Sequence, residues 1–101
     1  MGRSKHLQYT VQELNGARIG RAIAASARVV ILQEISKYHI VTNKYISQRV
    51  SLSGAAVSQH LQILKETGFI ESKYLGDEEG FQGYTFTKQG EVDFGNIKGI
   101  I

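Results

Sequence analysis

The stretch 42–68, TNKYISQRVSLSGAAVSQHLQILKETG, constrains this chain more than any other. It reads as two short helices joined by a tight turn. On the second helix, about 53–67, Val57, Leu61 and Leu64 recur at i, i+4 and i+7 and share one apolar stripe. The opposite face carries Ala55, Ser58, Gln59 and Gln62, where an ordinary surface helix carries charges. Small side chains allow close approach to a partner, and amides can bond the edges of bases in the major groove of duplex DNA.

The rest of the chain bounds that reading. Its 101 residues suit a single domain, 1–101, with a modest core that a second copy could extend. Cysteine is absent, which excludes disulfides and thiolate metal sites. No apolar run reaches the length of a membrane span and residues 1–20 lack a signal-peptide core, so the expectation is a soluble, cytoplasmic protein with no membrane partner. The net charge of +3 is unevenly divided. Residues 1–50 hold eight Lys/Arg against Glu13 and Glu34, a net +6, whereas residues 51–101 carry a net −3. A basic first half suits a polyanionic partner, although a solvated surface has the same composition.

In chain order, 1–8 reads as a loose basic arm. A first helix spans 11 to about 25, where Gly16 and Gly20 lower its propensity but permit close packing, either within the chain or on a second copy. Ser26 is positioned to cap a second helix from 27 to about 38, apolar on more than one side through Val30, Ile31 and Ile35. Residues 38–41 are β-prone and suit a short edge strand. Thr42 caps the third helix, with Ile46 and Val50 facing inward. Ser53 or Ser51 caps the fourth, and Gly68 ends it with Phe69 folding back. The period then changes to two over 70–74 and 84–87, around the loop GDEEGFQG, which predicts a β-hairpin. Thr87 begins a last helix with Val92, Phe94 and Ile97, weakened or broken by Gly90, Gly95 and Gly99. The expected fold class is α+β and mostly helical, a winged helix-turn-helix with four to five helices and a two- or three-stranded β-wing.

The residues carry a more specific likeness. SARVVILQEI, then VSLSGAAVSQHLQILKETGFIESKYLG and YTFT, resemble the arsenical-resistance-repressor (ArsR-like) family of transcription regulators over roughly residues 22–87. The run LSGAAVSQHLQILKETGFIES is its most specific part. The resemblance implies a homodimeric repressor that binds a palindromic site in double-stranded DNA, its first and last helices forming the dimer seam. By position it puts the base-contacting surface on Ala55, Ala56, Ser58, Gln59 and His60. Residue chemistry favours most of these and adds Gln62: Gln59 and Gln62 suit the N6/N7 edge of adenine, and Ala55 and Ala56 suit thymine methyl groups. This face has no Arg to read guanine, so an A·T-rich half-site is expected. Phosphate contacts are expected from Lys44, Arg49 and Ser51, with Tyr45 and Arg28 as further candidates. Arg28 reads equally as a solvent-facing charge, and His60 reads first as a packed imidazole.

The chain also departs from the family pattern. The third helix, NKYISQRV, has no thiol or carboxylate, and the last segment offers only Glu91 and Asp93, so metal sensing is unsupported. His6 and His39 have no acidic or histidine neighbour at helical spacing. Ala27 stands where the family often has proline, and Ser47 where such units commonly have alanine. Asp77, Glu78 and Glu79 at the wing tip would be repelled by phosphates. That acidic tip supports the rival reading, a winged-helix module that binds protein rather than DNA. No phosphate-binding glycine loop and no histidine paired with a nucleophile suggest an enzyme or a cofactor, and nothing points to an effector.

Overall fold

The computed structural model describes residues 11–76 and 82–101. The basic arm and the acidic tip Asp77, Glu78 and Glu79 lie outside the described residues. The elements run α1 (Val11–Ala22), α2 (Ser26–Tyr38), β1 (Val41–Thr42), α3 (Asn43–Val50), α4 (Gly54–Glu66), β2 (Ile70–Tyr74), β3 (Gln82–Phe86) and α5 (Lys88–Ile97). The three strands form one antiparallel sheet in the order β1-β3-β2, with Ile70 opposite Phe86 and Val41 opposite Tyr84. The expected class, α+β and mostly helical with a three-stranded sheet, is what the chain adopts.

The core gathers one apolar stripe from each element. Ile31, Leu32 and Ile35 come from α2, Ile46 from α3, and Val57, Leu61 and Leu64 from α4, with Phe69 and Ile70 beyond; all are essentially inaccessible. Full burial of such side chains contributes about 1.5–3 kcal/mol each, so α4 is held principally by the stripe visible in its sequence.

Helix ends explain the boundaries. Thr42 Oγ1 accepts from the Tyr45 N–H at 3.0 Å, Ser53 Oγ from Ala56 at 3.1 Å and Thr87 Oγ1 from Gly90 at 2.8 Å, so three caps act as their residue types lead one to expect. Between Ser51 and Ser53, the cap of α4 is Ser53. At its other end, Phe69 N–H donates to Leu64 O and Gly68 N–H to Lys65 O, both at 3.0 Å, with Gly68 at φ 81°. This paired arrangement closes a helix through a left-handed glycine.

Three expectations need correction, and one open alternative is decided. Ser26 does not cap α2: Ala25 holds that position, extended and without a side-chain cap bond. Helix α1 stops at Ala22 rather than near residue 25, and the Arg28 guanidinium donates to the Arg21 and Ala22 carbonyls at its end. The glycines do not break α5, which is continuous over ten residues. Gly90 is there for contact, since a Cβ at that position would lie 1.9 Å from the Phe69 carbonyl oxygen. The edge strand also starts later than expected, at Val41, since α2 runs to Tyr38 and ends on His39 at φ 73°.

Candidate nucleic-acid interface

Helices α3 and α4 are clasped by one side chain. Asn43 Nδ2 donates to Gly54 O and to Ser58 Oγ, each at 3.0 Å, while its Oδ1 accepts from Ser47 Oγ at 3.1 Å. Ser51 sits between the helices in the left-handed region, φ 57° and ψ 43°, and its N–H returns to Ser47 O. The clasp fixes the direction in which α4 presents its outer face. Sequence reading missed Asn43, because its partners lie 11 and 15 residues away.

On that outer face Ala55, Ser58, Gln59 and Gln62 are exposed, whereas Ala56 and His60 are half-buried at its flank. Ser58 accepts from Asn43, which leaves its own hydroxyl hydrogen to donate. Among the described residues Gln59 has no hydrogen-bond partner, so both ends of its amide face solvent. Gln62 Nε2 donates to Glu66 Oε2 at 3.3 Å, and Arg21 Nη2 donates to Glu66 Oε1 at 2.9 Å. These bonds from Gln62 and Arg21 hold the Glu66 carboxyl below its usual range. A carboxylate thus borders Gln62, and the face without charge is the Ala55–Ser58–Gln59 part.

The residues expected at phosphates divide into two groups. Lys44 and Ser51 are exposed, and Arg49 is half-exposed with only a loose ion pair, Nε to Glu34 Oε2 at 3.7 Å. Tyr45 and Arg28 are engaged within the protein. The Tyr45 hydroxyl donates its one hydrogen to Glu34 Oε1, and that bond, with further help from desolvation and the carboxylate's charge, pushes the phenol up to about 12. A phosphate oxygen only accepts, so the Tyr45 hydroxyl in this arrangement has nothing to give it. Arg28 is 8% exposed, which corrects the solvent-facing reading. Its Nε donates to Ala22 O at 3.0 Å, its Nη2 to Arg21 O at 2.9 Å and its Nη1 to His60 Nδ1 at 3.1 Å. Burial, and then the charge of Arg28, lower the His60 pKa below its ordinary value, which favours the neutral imidazole.

Glu34 was the other residue missed. It falls at i+3 from Ile31 and beside Ile35 on the buried side of α2. A carboxylate inside an apolar stripe signals a partner elsewhere, here Tyr45 and Arg49 on α3.

Residues 28–71 match the family model described as winged helix-turn-helix DNA-binding. The chain has the winged helix-turn-helix fold. Helices α3 and α4 are its helix-turn-helix pair, and the paired strands β2 and β3 form the wing. The winged helix-turn-helix is similar in structure to HlyU from Vibrio cholerae N16961, at 19% identity and a TM-score of 0.72, over 91% of this chain and 98% of that one. It is similar to the transcriptional repressor PagR of Bacillus anthracis, at 23% identity and a TM-score of 0.68, over 87% and 94% of the two chains. The likeness extends to an ArsR family transcriptional regulator, at 16% identity and a TM-score of 0.66, over 84% and 86%. No curated protein matches the chain.

Proposed function

We propose that this chain is a sequence-specific DNA-binding transcription regulator, a repressor that binds a palindromic site as a homodimer with α4 in the major groove. The observation that carries the reading is the outer face of α4: exposed, uncharged and held rigidly by the Asn43 clasp, with Gln59 unpartnered among the described residues. Gln59 reads adenine through its two-ended amide and Ala55 and Ala56 meet thymine methyl groups, while Ser58 donates its free hydroxyl hydrogen and Gln62 adds a contact at the margin. Lys44, Arg49 and Ser51 fix the register on phosphates. Tyr45 and Arg28 are left out of that set because the Tyr45 hydrogen goes to Glu34 and Arg28 is buried with three bonds inside the protein.

The homodimer is supported by surface left open on the terminal helices. Gly16 and Gly20 are exposed, and a methyl group added at either would meet no other element among the described residues within 4 Å, which leaves both open to a second copy. On and just after α5, Val92 is 58% exposed and Ile100 79%, and Ile19, Ile23, Phe94 and Ile101 on the terminal segments are only partly buried. A second copy would cover this surface and place the two recognition helices about 34–36 Å apart.

Titration of random duplex at two salt concentrations tests the DNA reading. Affinity should fall steeply as salt rises, in proportion to the phosphates contacted. Absence of any salt-dependent binding would favour the protein-binding alternative, and a monomer at micromolar concentration in sizing experiments would remove the dimer.

A further inference from the structure

Arg28 and His60 look, in the sequence, like two separate contacts to the duplex. In the folded chain they form one unit joining α1, α2 and α4. We propose that Arg28 is a positioning residue for DNA recognition: it fixes His60 as the Nε2–H tautomer and aims that hydrogen at an acceptor on the duplex. The proposal rests on the DNA-binding reading above and assigns a donor to the flank of the same surface.

The tautomer follows from donor counting. A guanidinium has five N–H donors and no acceptor, so His60 Nδ1, 3.1 Å from Arg28 Nη1, must accept. A neutral imidazole has one ring hydrogen, which therefore sits on Nε2. Burial and the adjacent cation both favour the neutral ring. The orientation follows from how firmly the arginine is held. Its other two bonds end on the Arg21 and Ala22 carbonyls at the C-terminus of α1, where partial negative charge collects. Arg28 is buried and held by these two carbonyls, so the imidazole leans on a fixed support. Among the described residues no protein group takes the Nε2 hydrogen. His60 is half-buried one turn after Ala56 and next to Gln59, at the edge of the exposed face. A donor there meets either a base-edge acceptor, such as adenine N7 or thymine O4, or a phosphate oxygen at the groove wall.

Two substitutions separate the ends of the ring. His60→Asn keeps an acceptor at the Nδ1 position and removes the outward donor, whereas His60→Gln keeps an outward donor and removes the contact to Arg28. Affinity is measured on a duplex selected by the wild-type protein from a random pool and on random duplex, alongside thermal unfolding. His60→Asn should unfold close to wild type yet lose roughly tenfold in affinity, and His60→Gln should lose less. Loss on the selected duplex alone identifies a base edge; equal loss on both identifies a phosphate oxygen. Wild-type binding of both duplexes by His60→Asn would overturn the proposal. Imidazole nitrogen NMR of the free protein supplies an arm independent of DNA. His60 should show a bare Nδ1 and a protonated Nε2, shifting toward a tautomer mixture in Arg28→Met, which has no donor. The opposite tautomer in wild type, or no change in Arg28→Met, would also overturn it. A wild-type protein that binds no duplex would instead sink the DNA reading and this role with it.

Discussion

The last turn of α4 and the outer face of its first two turns treat their polar groups in opposite ways. At the last turn nearly every exposed-end carbonyl has a donor. Phe69 and Gly68 N–H take Leu64 O and Lys65 O, Arg18 Nη1 takes Thr67 O at 2.8 Å, and Thr87 takes Gly68 O and Phe69 O. Arg18 also pairs with the buried Asp93 of α5 through two bonds, 2.8 and 3.2 Å. One arginine therefore ties α1, the end of α4 and α5 together. On the outer face Gln59 bonds to nothing among the described residues, and the Ser58 hydroxyl hydrogen is unused. The contrast teaches where to look for function on a surface rich in polar groups. Groups paired internally hold the fold, and those left unpaired are available to a partner.

The largest effects should come from the anchored end. Gly90→Ala would drive a Cβ into the Phe69 carbonyl, and unfolding by urea should show a loss of roughly 3–5 kcal/mol. An unchanged midpoint would mean that α5 does not need this close approach. Asp93→Asn keeps the shape and removes the charge beside Arg18, which is a quarter exposed and so partly screened. The expected cost is roughly 2–3 kcal/mol. If it costs nothing, the arginine is not the tie described above.

The outer face should behave in reverse. Gln59→Ala should change stability by less than about 0.5 kcal/mol, the range for a surface residue without partners. Affinity for the selected duplex should fall by roughly 1–2 kcal/mol and affinity for random duplex by less. Equal losses on the two would remove the base contact. Tyr45→Phe should have the smallest effect on DNA, about twofold or less on random duplex at neutral pH, because its hydrogen points to Glu34. Its signature is alkaline. A phenol raised to about 12 when folded, against about 10 unfolded, stabilises the fold fully below pH 10 and loses that contribution as pH rises through 12. Wild type should lose stability across that window and Tyr45→Phe should lose less, read from thermal unfolding and from the late tyrosinate absorbance.

What could be read from the sequence was what is decided within a turn or two of the chain. The stripe Val57–Leu61–Leu64, the caps Thr42, Ser53 and Thr87, the stop at Gly68 and the change to period two each depend on neighbouring residues. Gly90 shows the limit: it lowers helix propensity locally, yet it is required by a carbonyl 21 residues earlier in the chain. Arg28 and Tyr45 show the same limit for the site. Their residue types suit phosphates, but Arg28 is buried against Ala22, Arg21 and His60 and the Tyr45 hydrogen goes to Glu34, and only the folded arrangement reveals those partners. Asn43, which orients the whole of α4, has no local signal because its partners lie on the far side of the turn.

The central claim is that the uncharged face of α4 reads sequence, and selection of bound sites from random duplex tests it most directly. The account predicts enrichment of A·T-rich half-sites in inverted repeat, their centres about one helical turn or a small multiple apart. Bound pools with no sequence enrichment over the input, at a salt concentration where binding is retained, would contradict it.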